Sequence, residues 1–126
     1  MSNIFDLSYT ANEALTEGLG VSFVAGNDSL VEVADAAAIP LGIVQQDAAA
    51  DDYATVRLSG PSKAIAGAAF DEGVPLKFDA AGKVIACAAP TFPLTAKEES
   101  IGRSLMAATA ADEIVDIMVE RSTRYV

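Results

Sequence analysis

Glu72-Gly73-Val74-Pro75-Leu76-Lys77-Phe78-Asp79-Ala80-Ala81-Gly82-Lys83-Val84-Ile85-Ala86-Cys87 is the stretch whose reading decides the fold. Val74, Leu76 and Phe78 alternate with Pro75 and Lys77, which puts three apolar side chains on one face of an extended segment. Asp79-Ala80-Ala81-Gly82 supplies a turn, with glycine where a positive φ is needed. Val84 and Ile85 restart the apolar run, so the whole reads as a β-hairpin.

The same order of signals occurs earlier in the chain. Glu17-Gly18 precedes Val21-Ser22-Phe23, the turn Gly26-Asn27-Asp28-Ser29 and Leu30-Val31-Glu32-Val33. Each hairpin leads to an apolar-Gly step, Leu41-Gly42-Ile43-Val44 or Ile101-Gly102-Arg103-Ser104. An Ala-rich acidic bridge follows, 47–52 or 107–112, and then a strand, Tyr53 to Leu58 or Ile114 to Glu120. Four elements in the same order twice imply an internal duplication. The expected organisation is an N-terminal arm or extra strand over 1–17, a duplicated β domain over 18–120 with repeats at about 18–66 and 67–120, and a C-terminal tail over 121–126. The expected class is mainly β, a small β-barrel-like or β-clip-like domain built from two duplicated hairpin units with little helix.

Working outward, Phe5, Leu7 and Tyr9 alternate with Asp6 and Ser8, a strand pattern lying ahead of the first repeat. It suits a strand added to the domain's own sheet, or an arm that pairs with a neighbouring chain. Ser59-Gly60-Pro61 reads as a break after the strand that begins at Tyr53, with a weak strand around Ile65 beyond it. In the second copy, 88–100 reads as an insertion that Pro90 and Pro93 keep irregular, with Phe92 either a contact or tucked inward. Arg121-Ser122-Thr123-Arg124-Tyr125-Val126 reads as a solvated basic tail or, more sharply, a docking segment.

The chain has 126 residues, enough for one domain with its own core. No apolar run reaches the roughly 20 residues of a membrane-spanning helix, and the start lacks a secretory pattern. Eighteen acidic residues against eight basic give a charge of −10, which disfavours a nucleic-acid backbone as partner. The single Cys87 can form no internal disulfide and reads as core packing. With no histidine, Ser-His-Asp and Cys-His catalysis and His-bearing zinc sites are excluded. The pairs Asp51-Asp52, Asp71-Glu72, Glu98-Glu99 and Asp112-Glu113 read as solvated turns rather than a glycosidase pair. Neither a phosphate-binding glycine loop nor a twelve-residue calcium loop is spelled out. No catalytic residue, cofactor or metal is therefore expected.

The run Gly73 to Val84, then Ile101-Gly102-Arg103-Ser104-Leu105, then Ala111-Asp112-Glu113-Ile114-Val115-Asp116-Ile117, resembles the capsid cement, or decoration, proteins of tailed bacteriophages. The first half resembles them through Leu41-Gly42-Ile43-Val44 and Leu58-Ser59-Gly60, so the resemblance runs from about Gly18 to Glu120. It implies a non-enzymatic protein that binds the outside of an assembled phage head and stabilises the shell. The implied partners are the major capsid protein and the chain itself, as a homotrimer, with neither nucleic acid nor membrane. The implied location is the capsid exterior of the virion, after synthesis in the host cytoplasm. Expected contacts to capsid or protomer are Phe5, Leu7, Tyr9, Phe92, Arg121, Arg124 and Tyr125. The competing reading is a small β domain that binds a small ligand such as a sugar acid, which would need a pocket of converging polar groups.

Overall fold

The computed structural model describes residues 4–27, 29–35, 39–88 and 97–125, with backbone alone at 124 and 125. Nine strands run through these residues: β1 (Phe5–Ala11), β2 (Gly20–Phe23), β3 (Leu30–Val33), β4 (Gly42–Val44), β5 (Tyr53–Ile65), β6 (Pro75–Phe78), β7 (Val84–Ala86), β8 (Lys97–Ser104) and β9 (Ile114–Tyr125). The stretch that opened the sequence reading is the β6–β7 hairpin, with Phe78 opposite Val84 and Leu76 opposite Ala86. The Asp79 carboxylate accepts the amides of Ala81 and Lys83 at 2.8 and 3.0 Å, and Gly82 turns the chain at φ 74°.

Two rings of strands share β5. In the first, β1 lies parallel to β3, β3 pairs with β2, β2 with β4 and β4 with β5; the early half of β5 then returns antiparallel to β1 and closes a five-stranded barrel. In the second, the late half of β5 pairs with β9, β9 with β8, β8 with β6 and β6 with β7. Ala66, just past β5, bridges Val84 in parallel and closes the second ring.

Corresponding hydrogen bonds recur in the two rings. Leu15 and Ala48 exchange amide and carbonyl at 2.8 and 2.9 Å; Phe70 and Ala108 do so at 3.0 and 2.9 Å. The Gly18 amide donates to the Val44 carbonyl as that of Gly73 does to Ser104, both at 2.9 Å. Asp51 and Asp112, at the ends of the acidic bridges, sit at φ 71° and 70° and donate to the Ala11 and Ala66 carbonyls, both at 2.7 Å. Aspartate is among the few non-glycine residues that tolerate this left-handed conformation, which accounts for its place in both bridges.

The recurrence corrects three expectations. β1 is not extra to the repeated unit: Ala11 matches Ala66, so β1 corresponds to the late half of β5. Ser59-Gly60-Pro61 does not break the strand. Gly60 takes φ 107° where β5 leaves one ring for the other, and Gly60 and Pro61 stand opposite Val119 and Met118 of β9. Residues 121–125 are not a loose tail but the end of β9, where Ser122 to Tyr125 pair with Lys97–Ser100 of β8; those β8 residues are regular strand within the expected insertion. Residues 89–96 of that insertion, Phe92 included, lie outside the described residues.

Each ring has its own apolar interior. Ala11, Leu15, Val21, Val31, Leu41, Val44, Ala54 and Val56 fill the first. Leu76, Phe78, Val84, Ile101, Val115, Ile117 and Val119 lead the second, which Ile43 and Ala34 join from the first half of the chain. Phe78 also reaches across: a Cβ built on Gly20 would lie 2.1 Å from its ring, so only glycine admits it there. Each buried Val, Leu, Ile or Phe side chain contributes about 1.5–3 kcal/mol. Three buried hydroxyls donate to backbone carbonyls, Ser62 to Lys63 at 2.9 Å, Ser100 to Leu76 at 2.9 Å and Ser104 to Asp71 at 2.7 Å.

Cys87 is half-buried just beyond β7 rather than packed in a core, and its thiol meets Glu98. Burial pushes the Glu98 pKa up, but hydrogen bonds from Cys87, Lys77 and the Ala88 amide outweigh it and hold the carboxyl below its usual 4.5. A depressed folded pKa gives stability that is present above about pH 4.5 and lost as pH falls through the folded value. Glu98→Gln is therefore expected to cost about 1 kcal/mol at neutral pH and to shrink that loss at low pH. Urea melts of both proteins between pH 7 and pH 3 check this; parallel pH profiles would refute it.

Candidate contact surface

The two ends of the chain, separate in sequence, approach one region through Phe23. β1 is fixed along β5 by backbone pairing from Phe5–Ser59 to Thr10–Tyr53. Arg57 reinforces it with a two-pronged contact to Asp6, Nε to Oδ1 at 2.9 Å and an Nη to Oδ2 at 3.0 Å, while its other Nη donates to the Pro61 carbonyl at 2.7 Å. The hydrogen bonds it donates to Asp6, with that carboxylate's charge, outweigh burial and hold the Arg57 guanidinium above its usual pKa.

Leu7 and Tyr9 stand opposite Val56 and Ala54, both fully buried, so this face of β1 turns toward the first core. Tyr9 packs against that core and meets Phe23 edge-to-face, with ring centroids 5.4 Å apart. Phe5 and Leu7 lie nearer the end of the barrel and remain 52% and 41% exposed. These are large apolar side chains left half in water on a strand whose backbone is held firmly.

Phe23 in turn lines an open cleft of about 910 Å³. Its walls are the β2–β3 turn from Ser22 to Asn27, the segment Ile39-Pro40-Leu41 and, from the far end of the chain, Arg121 of β9. Glu32 and Asp35 complete the lining. Ile39 is 74% exposed at this rim.

Of the residues nominated from sequence, Tyr9 and Arg121 are thus connected through Phe23, and Phe5 and Leu7 share Tyr9's strand. The backbones of Arg124 and Tyr125 are paired with Glu98 and Lys97, and their side chains lie outside the described residues. Phe23 and Ile39 were missed. Phe23 fits the alternation of a core strand, and only its place at the strand end exposes it; Ile39 before Pro40 carried no periodic signal.

A family model described as phage cement protein matches residues 2–119. No curated protein matches the chain. Among solved structures, the chain is similar to the N base of the head fiber gp8.5 in bacteriophage phi29, with a TM-score of 0.69 and 16% identity over 94% of this chain and 95% of that one. At that identity the likeness carries the fold alone. Neither comparison supports the small-ligand reading.

Proposed function

Because the chain belongs to the phage cement protein family, a structural family associated with the capsid, we propose that it binds the outside of an assembled head and stiffens the shell without catalysing any reaction. The observation that carries the surface assignment is the group Phe5, Leu7, Phe23 and Ile39. Ile4, Tyr53, Leu105, Met106 and Ile114 are exposed as well; this group is singled out because Tyr9 ties β1 to Phe23, whose cleft Ile39 and Arg121 share. Arg121, Arg124, Tyr125 and Phe92 are the further residues proposed for the contact.

Copies act as homotrimers on the shell. Linked contacts to several shell subunits then act in concert, because each later contact is effectively intramolecular, and weak individual contacts suffice. The net charge of −10 keeps unbound copies apart in solution.

Purified protein added to heads that lack it should load to saturation, appear on the shell in clusters of three and raise the temperature at which heads rupture. Deleting residues 1–10 is a poor test, since it removes β1 from the barrel. The double substitution Phe5→Ser with Leu7→Ser keeps the strand, and it is expected to weaken loading roughly tenfold or more, as for central apolar contacts. Melting of the free protein should shift only a few degrees. Unchanged loading by the double variant would remove β1 from the contact; no loading by the parent chain would end the proposal.

A further inference from the structure

The two rings match in register, yet their outward sheet faces differ in chemistry. Thr10 stands opposite Tyr53 in the first ring as Ile65 stands opposite Ile114 in the second. Asp6 opposite Arg57 is matched by Pro61 opposite Met118. The Gln45 amide donates to the Thr55 carbonyl at 2.9 Å, and the Leu105 amide to that of Asp116 at 2.9 Å. In the first ring this face is held by polar contacts: Arg57 grips Asp6, and the Gln45 side chain donates to Ser62 and to the Ile43 carbonyl. In the second, Ile114 and Leu105 are 65% and 51% exposed, with Ile65 and Met118 half-buried. Polar residues on one copy of a duplicated unit, and aliphatic ones at the same places on the other, mark the second face as a contact surface.

Two features of the face point to what covers it. Ile65 lies six residues along β5 from Ser59, the partner of Phe5, which is about 20 Å of extended chain. The face is therefore separate from the β1 surface given to the shell. Its charges also balance. Lys63 pairs with Asp116 at 2.6 Å, and Arg103 and Glu120 add one charge of each sign. At its border Asp112 is paired with Lys83, and Glu113 accepts the Thr109 amide and hydroxyl. In a chain of −10, this is a place where copies meet with little repulsion.

Resting on the capsid-binding reading, in which copies act in threes, we infer that this face of β5, β8 and β9 packs against a neighbouring copy on the shell. Ile114 and Leu105 lie at the centre of the contact. A few exposed side chains make too small an interface to hold free copies together. Copies already anchored on the shell are at high effective concentration, so the same contact then links them.

The test uses the full chain and intact heads. Leu105→Gln with Ile114→Lys changes two side chains that are more than half exposed, so the free variant should melt within a few degrees of the parent. It is expected to load heads as scattered single copies and to need roughly tenfold more protein for half-saturation. Tyr53→Lys, at the matched place in the first ring, should load in clusters of three like the parent. Clusters of three with the parent's loading curve in the Leu105, Ile114 variant would overturn the inference. So would loss of all binding by that variant at saturating protein, which would make the shell the occupant. A parent that loads only as scattered single copies sinks the inference and leaves the capsid-binding reading standing; a parent that does not load sinks both.

Discussion

Gly102→Ala is expected to destabilise the protein by at least about 3 kcal/mol, a large share of the roughly 5–15 kcal/mol that holds a domain of this size folded. A Cβ at Gly102 would lie 1.8 Å from the Met118 carbonyl oxygen, 2.9 Å from its carbon and 3.0 Å from the Glu120 amide. These are backbone atoms of the adjacent strand, so no side chain can rotate away. β8 would have to leave β9 beside the register shift between Ser100 and Gly102, where the ladder is already interrupted. Gly42→Ala is expected to behave alike, because its Cβ would lie 2.2 Å from the Arg57 carbonyl oxygen at the corresponding place in the first ring. Gly26→Ala is the control. It has open space around it and a φ of +77°, so it should cost only about 1–2 kcal/mol. Urea denaturation followed by circular dichroism ranks the three; a Gly102 variant within 1 kcal/mol of the parent would show that the strands are not packed as described.

Phe78→Ala is expected to cost about 3–5 kcal/mol, the range for deleting a buried aromatic side chain. Phe78 is 4% exposed, belongs to the second core and lies over Gly20 of the first ring, so its loss opens a hole at the junction of the two rings. Enlarging the facing glycine cannot refill that hole in the parent, where the ring already occupies it. In the Phe78→Ala background, Gly20→Val should restore part of the loss, whereas Gly20→Val alone should destabilise. That reversal of sign is the diagnostic result. Additive losses in the double variant would place the ring elsewhere.

The alternations that announced β6, the first half of β5 and the first half of β9 were legible because one face of each is buried and the other wet. Ala54 and Val56, Leu76 and Phe78, and Val115, Ile117 and Val119 are the buried sets. The apolar-Gly steps were visible as a pattern, but their cause, a neighbouring carbonyl, lies about 15 residues away in sequence and could not be read locally. Gly60-Pro61 was misread for a related reason. Turn chemistry is local, whereas the shared strand owes its continuity to partners on β1 and β9. Residues 121–125 misled because their polar composition matches a free end, and only pairing with β8 makes them strand. At the surface, alternation told where Phe5, Leu7 and Tyr9 point along β1; it carried nothing about Phe23 or Ile39, whose exposure depends on where the ring stops.

β5 ends one ring and begins the next with no linker between them. Two bodies joined by a flexible tether could each find its own footing, but two bodies threaded on one continuous strand hold a fixed separation and twist. Whatever is gripped beside β1 and whatever is gripped beside β9 are therefore set apart as by a ruler. The molecule resists stretching through whole ladders of peptide hydrogen bonds strained together, rather than through a joint that can swing.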